Sequence, residues 1–142
     1  MSHDHSDTLA LVTRSISLAL VLGLAACTSK DDFVERVEPK VVALLCDQQR
    51  PAEQLPIYYR KCFDVDEARC VAVMTRHVHT CAGKIVRDKV DERNAGALTE
   101  RIGACAGTDY ELELERQGKR IQSEACDIAR DAYASARAAV KP

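Results

Sequence analysis

Residues 64–84, DVDEARCVAVMTRHVHTCAGK, form the stretch that decides the fold expected for this chain. Asp64 or Asp66 suits the N-cap of a helix, and the pattern predicts that this helix ends near Gly83. The residues that share one stripe at 100° per residue are Cys70, Met74, His77 and Cys81. A stripe of this kind is typical of a helix that buries one face.

Two cysteines of this predicted helix cannot pair with each other. Cys70 and Cys81 are eleven positions apart, which is about 16.5 Å along an α-helix. A disulfide requires Cα atoms within about 7 Å of each other. Each of the two cysteines must therefore join a different segment, which places this helix at the centre of any covalent framework.

The N-terminal leader indicates that the chain is exported. Residues 15–26, SISLALVLGLAA, carry no charge and follow Arg14. A basic residue, a short apolar run and small residues at its end are typical of a secretory signal. As a helix the run spans about 18 Å, which is short for a hydrocarbon core of about 30 Å.

The end of that leader resembles the lipobox of bacterial lipoproteins. Its residues are Leu24-Ala25-Ala26-Cys27, a leucine and two small residues before a cysteine. The resemblance implies that residues 1–26 are removed as a signal peptide and that Cys27 receives a lipid, so no cofactor beyond that covalent lipid is expected. It also implies a palmitate-type acyl anchor. Because Thr28 and not aspartate follows Cys27, the resemblance implies the outer membrane, with the domain facing the periplasm. Two or more acyl chains give stable anchoring.

The remaining chain is expected to be one small domain. A lipidated tether at residues 27–32 precedes this domain at residues 33–142. Residues 27–142 together carry nearly equal numbers of acidic and basic side chains, so nucleic acid is not an expected partner. The sequence has no tryptophan and little aromatic material, which limits the area that its core can bury. Small exported proteins with a limited hydrophobic core are usually stabilised by disulfides.

Six cysteines remain when Cys27 is set aside, and an even number predicts three disulfides. No Cys-x-x-Cys pair occurs, which disfavours a zinc site built from thiolates. In up-and-down helices, a nested pairing is the simplest hypothesis. Its pairs are Cys70–Cys126, Cys81–Cys105 and Cys46–Cys62.

The segments on either side also carry helical patterns. Residues 33–49 place apolar side chains on one face, and Pro39 either begins that helix or kinks it. The next stretch, with Pro51 and Pro56, is interpreted as a connection.

The C-terminal half leaves two alternatives open. Residues 84–107 are expected to break near Asn94 and to end at Gly107. Beyond them, apolar or small residues at a 4-3-4-3-4 spacing favour one long helix, whereas the Gln117-Gly118 pair favours a hairpin. The fold class predicted is all-α, a small antiparallel bundle of three to four helices cross-linked by three disulfides and preceded by a lipoprotein signal helix.

Few residues point to chemistry. His77 and Cys81 are one turn apart, so His77, with or without His79, is an alternative site for copper or zinc. The simpler interpretation places Cys81 in a disulfide, His77 in a hydrogen bond at the core edge and His79 in solvent. No nucleophile motif is present, and the alternating glutamates of residues 111–115 are interpreted as a solvated face, so we expect no catalytic residues and no enzyme.

The partner-binding prediction rests on Tyr58, Tyr59 and Arg60. Tyrosine and arginine are favoured at the centres of protein interfaces, and these three lie in the predicted connection. The function predicted is a non-catalytic outer-membrane lipoprotein that binds another envelope protein, as an assembly factor similar to a pilotin or as an immunity or inhibitor protein. The alternative is a periplasmic lipoprotein that binds a metal or a small molecule.

Overall fold

Five helices make up the described part of the chain, which in this computed structural model comprises residues 29–46 and 58–140. The predicted leader and Cys27 lie outside those residues. The helices are α1 (Lys30–Cys46), α2 (Tyr58–Cys62), α3 (Glu67–Ile85), α4 (Ala95–Arg116) and α5 (Glu124–Ala138). The all-α prediction is confirmed, and the helix beyond the expected three to four is the five-residue α2. None of these helices is both long and apolar enough to cross a membrane.

The three long helices α1, α3 and α4 pack side by side and supply most of the core. α1 and α3 are antiparallel, because Cys46 at the end of α1 is bonded to Cys70 near the start of α3, while Lys30 Nζ at the other end donates to the Gly83 carbonyl at 3.4 Å. α3 and α4 are antiparallel as well and share the largest contact between helices. The buried stripe of α3 therefore lies between two neighbours.

The predicted limits of α3 are close to those observed. The side chain of Asp66 accepts a hydrogen bond from the Arg69 backbone N–H at 2.7 Å, as an N-cap does, and the helix ends at Ile85. α1 passes through Pro39 without ending there. Proline cannot donate to the Glu35 carbonyl, but both residues are exposed, so water can replace that bond.

The disulfides confirm one pair of the nested hypothesis and correct the other two. Cys81 is bonded to Cys105, with Cα atoms 5.9 Å apart. Cys46–Cys70 and Cys62–Cys126 replace the predicted Cys70–Cys126 and Cys46–Cys62 pairs, with Cα separations of 5.8 and 5.4 Å. The physical reason is the packing order: the start of α3 meets the end of α1, and α5 packs on α2.

Neither alternative for the C-terminal half is correct. The break near Asn94 is confirmed, but α4 continues through Gly107 and ends at Arg116. The Gln117-Gly118 turn is present, with Gly118 at φ +65°, yet it leads into an extended segment and not into the second strand of a hairpin. That segment touches Phe63 through an isolated bridge at Arg120, and Ser123 then caps α5.

Candidate functional site

The three residues predicted to bind a partner do not form an exposed face. Tyr58 is 4% exposed and Tyr59 is fully buried. Arg60 is partly buried and donates a hydrogen bond to the Val65 carbonyl. The two tyrosines are therefore covered by other parts of the fold, and their role in binding a partner stays a prediction. In a chain without tryptophan and with only two phenylalanines, tyrosine supplies the aromatic part of the core.

All four tyrosines of the sequence meet in what we call the tyrosine cluster, which consists of Tyr58, Tyr59, Tyr110 and Tyr133. The Tyr133 ring of α5 stacks on Tyr58 and meets Tyr59 edge-on, with ring centroids 5.3 Å apart in both pairs. Tyr59 also stacks on Tyr110 at 5.5 Å. These are favourable aromatic separations. The cluster therefore joins α2, α4 and α5.

A buried carboxylate lies beside the tyrosine cluster. Glu111 is 6% exposed, and its Oε1 accepts a hydrogen bond from the Tyr58 hydroxyl at 2.8 Å. Its Oε2 lies 2.6 Å from Arg137 Nη1, a distance typical of an ion pair, although the contact lacks the geometry of a hydrogen bond. The Arg137 guanidinium lies 5.0 Å from the centre of the Tyr133 ring. Arg137 thus compensates the charge and covers the aromatic ring.

Burial raises the pKa of every hydroxyl in the tyrosine cluster. For Tyr110 and Tyr133 the pKa rises to about 12. For Tyr58 and Tyr59 it also rises, first because of burial and, for Tyr58, also because of the hydrogen bond to Glu111. The four hydroxyls are therefore neutral at physiological pH. Those of Tyr58 and Tyr59 donate hydrogen bonds, whereas the buried Tyr110 hydroxyl has no hydrogen-bond partner.

Sequence reasoning missed Gly107, Glu111 and Arg137. Glu111 was grouped with its neighbours as a solvated face, which is wrong for Glu111 because it faces the core. A signal existed in the spacing of Gly107, Glu111 and Leu114, which lie on one face of a helix and are all buried. Ending the predicted helix at Gly107 hid that pattern.

At Gly107 a side chain of α2 contacts the backbone of α4. The Tyr59 hydroxyl donates to the Gly107 carbonyl at 2.7 Å, and a Cβ atom at residue 107 would lie 2.8 Å from that hydroxyl oxygen. Tyr59 is packed between rings and has little freedom to move aside. A side chain at this position must therefore displace part of the tyrosine cluster.

We expect Gly107→Ala to lower the free energy of unfolding by about 1–3 kcal/mol, the usual effect of overpacking. The matched control is Gly103→Ala, one turn earlier, where the nearest atom would be Val41 Cγ1 at an ordinary 3.9 Å. That control should stabilise the protein by up to about 1 kcal/mol, because alanine is the better helix former. Urea unfolding measures both, and equal effects of the two substitutions would contradict the close approach.

The two candidate metal ligands face different helices. His77 Nε2 lies 2.8 Å from Glu113 Oε2 on α4, whereas the Nε2 atom of the exposed His79 contacts the Glu38 carboxylate on α1. Burial favours a higher pKa for Glu113, but hydrogen bonds from His77 and Arg76 outweigh it and lower that pKa. His77 at the core edge and His79 at the surface are thus confirmed, and the structure does not bring them together.

Cys81 and Cys105, with Asp109, form the one group of three potential ligand atoms found within the described ranges. The two sulfur atoms are bonded to each other, so they are not available as thiolates. A shallow groove of about 280 Å³ also lies between α1 and α3. It is lined by Lys30, Asp31, Val34, Glu35, Glu38, His79, Ala82 and Gly83, a set without a hydroxyl or thiol nucleophile.

Comparison with known protein families gives a match over most of the helical domain. A protein-family model described as NttA, T2SS substrate NttA, matches residues 27–118, about two thirds of the chain. No curated protein and no solved structure matches. The matched residues begin at Cys27 and include α1 to α4, and they end before α5.

Proposed function

Because the chain belongs to the NttA family of type II secretion system (T2SS) substrates, we propose that it is a lipid-anchored, non-catalytic protein that binds another protein of the bacterial envelope. Membership of this family indicates export. The lipid on Cys27 holds the protein at the outer membrane, and the helical domain lies in the periplasm until the T2SS takes it up. Binding to a partner is the activity of that domain.

The observation that carries this proposal is the covalent framework. Each of the five helices contributes at least one cysteine to the three disulfides, which form in oxidising compartments such as the periplasm. Six of the seven cysteines are used in this way, so Cys27 has no partner cysteine within the chain. That distribution agrees with a separate role for Cys27 as the lipidated residue. Cross-linked helices keep a fixed surface, which favours recognition.

The ionisable side chains near the core support binding over catalysis. Glu111 is engaged by Tyr58 and Arg137, and Glu113 is engaged by His77 and Arg76. Each carboxylate is therefore used within the fold and is not directed into a cleft. The role of an assembly factor and that of an immunity or inhibitor protein both fit this description. No observation favours metal binding by His77 or His79, so that alternative is not proposed.

We expect the full-length chain, produced in a Gram-negative host, to partition with the outer membrane and to yield an acylated N-terminal peptide that begins at Cys27. The Cys27→Ser variant should appear in the soluble periplasmic fraction, since it has no sulfur to acylate. Ser29→Ala is the matched control and should behave as the unchanged chain does. Mass spectrometry of the N-terminal peptide checks the modification, and an unmodified Cys27 would contradict the anchor.

Binding to a partner is tested by chemical cross-linking in intact cells. The protein is then purified and the proteins cross-linked to it are identified. We expect an envelope protein to be recovered with the folded protein. It should not be recovered with a chain in which alanine replaces all six disulfide cysteines, because that chain lacks the covalent framework that holds α1, α3 and α4 together. Equal recovery with the unchanged chain and with this variant would contradict recognition by the folded domain.

A further inference from the structure

The last helix is attached to the domain differently from the others. α5 packs mainly against α2, and only Cys126 and Tyr133 of its residues are buried. It follows the turn at Gly118 and the extended segment 119–123. Its covalent link to the rest of the domain, apart from the chain itself, is the Cys62–Cys126 disulfide.

Beneath α5 lies a set of groups that we call the strap groove, formed by Tyr58, Tyr59, Gly107 and Glu111. Two side chains of α5 fill it: Tyr133 packs on the rings and Arg137 pairs with the carboxylate. They are four residues apart, so one face of a helix supplies both. A helix that covers the groove without a cation at this place would leave the Glu111 carboxylate buried and unpaired, and such a charge is strongly destabilising.

The chemistry of the strap groove therefore defines what it accepts. Aromatic rings select a flat apolar side chain, and Glu111 selects a guanidinium group, which carries its charge without losing a proton. The absence of a side chain at Gly107 gives a helix room to approach. The whole groove lies within the family match at residues 27–118, and α5 lies outside it.

We propose that α5 is a releasable strap over this groove, and that its release opens a docking site for a partner helix with an aromatic residue and an arginine four residues apart. The inference rests on the proposed function, because it assigns the binding site to the groove. The latch is the Cys62–Cys126 disulfide. A reduced dithiol protein supplies two electrons, the S–S bond breaks, each sulfur gains a proton, and the dithiol becomes a disulfide.

The test uses the full chain with the latch removed by Cys62→Ala and Cys126→Ala. The probe is a labelled peptide with the sequence of residues 121–140 in which alanine replaces Cys126, so that it cannot exchange with a disulfide, and fluorescence anisotropy measures its binding. We expect the latch variant to bind the peptide and the oxidised unchanged chain not to. The matched control is Cys46→Ala with Cys70→Ala, which removes a disulfide remote from α5 and should leave the groove closed.

A second peptide with Tyr133→Ala and Arg137→Ala checks the chemistry. It should bind at least about tenfold more weakly, because it lacks both groups that fill the strap groove. Equal binding of the two peptides would overturn the proposed specificity. Two copies of the latch variant could instead exchange their α5 helices and form a dimer that does not bind the peptide. That result would overturn the assignment of the groove to a partner helix.

Hydrogen exchange of the unchanged chain provides a test that needs no variant. After selective reduction of the latch, the amides of α5 should exchange faster than those of α4. Equal protection of the two helices would overturn the strap. If an envelope partner is recovered but the peptide does not bind the folded latch variant, this inference alone is overturned. If the peptide binds but Cys27 is unmodified and no partner is recovered, the proposed function alone is overturned.

Discussion

Between pH 10 and 12 the domain is expected to lose its fold in one steep transition. The tyrosine cluster causes it, because burial raises the pKa of each hydroxyl from 10.0, to about 12 for Tyr110 and Tyr133. A raised pKa in the folded state means that the unfolded chain loses protons first. The stabilisation is complete below pH 10 and is lost as the pH rises through the folded-state pKa values.

The expected magnitude is large. Each group lowers the free energy of unfolding by about 1.4 kcal/mol per pH unit in this window, so four of them lower it by about 5 kcal/mol per unit. The net stability of a domain is about 5–15 kcal/mol. Over two pH units the loss is about 11 kcal/mol, which is comparable with that net stability.

Alkaline titration followed by tyrosinate absorbance and far-ultraviolet circular dichroism measures this transition. The two signals should change together. Tyr133→Phe is the informative variant, because it removes one hydroxyl and should reduce the slope by about 1.4 kcal/mol per pH unit. Four tyrosines that ionise near pH 10 while the helices persist would contradict the burial of the cluster.

Replacement of Arg137 by methionine is expected to lower the free energy of unfolding by about 3–5 kcal/mol, because it leaves the Glu111 carboxylate buried without a cation. Methionine keeps an apolar stem against the Tyr133 ring, so the lost charge is the main change. Glu111→Gln should have a smaller effect, about 1–2 kcal/mol. The amide oxygen still accepts from Tyr58, and the Arg137 side chain is more exposed to water than Glu111 is.

The double variant Glu111→Gln with Arg137→Met completes a thermodynamic cycle measured by urea unfolding. It should be less destabilised than the sum of the two single variants, because neither partner then leaves a charge unpaired. The effect of Arg137→Met should also change little with salt, since the pair is largely buried. An Arg137→Met protein within about 0.5 kcal/mol of the unchanged chain would contradict the ion pair.

Local patterns predicted the central helix well and the long-range contacts only in part. The Asp66 cap and the stripe from Cys70 to Cys81 depend on neighbours within one helix, so the sequence alone specifies them. The distance between Cys70 and Cys81 also predicts that each forms a disulfide with another segment, which is confirmed. Which segment each cysteine reaches depends on the order in which helices pack, and periodicity carries no information on that order.

In the candidate site, too, the sequence does not predict contacts between residues far apart in the chain. The exposure expected for Tyr58 and Tyr59 is wrong, because the groups that bury them come from α4 and α5. Arg137 gave no signal of its own in the sequence. Glu111 can be buried as a carboxylate because Arg137 compensates its charge, and Arg137 lies 26 positions later in the chain.

The three disulfides have a consequence for a nicked chain. The Cys46–Cys70 bond spans both the segment 47–57 and the short connection from α2 to α3, and Cys81–Cys105 spans the connection from α3 to α4. Cys62–Cys126 spans the remaining connection, which leads into α5. A single proteolytic cut in any of these connections therefore leaves all five helices in one covalent molecule, and its fragments separate only when a thiol is added.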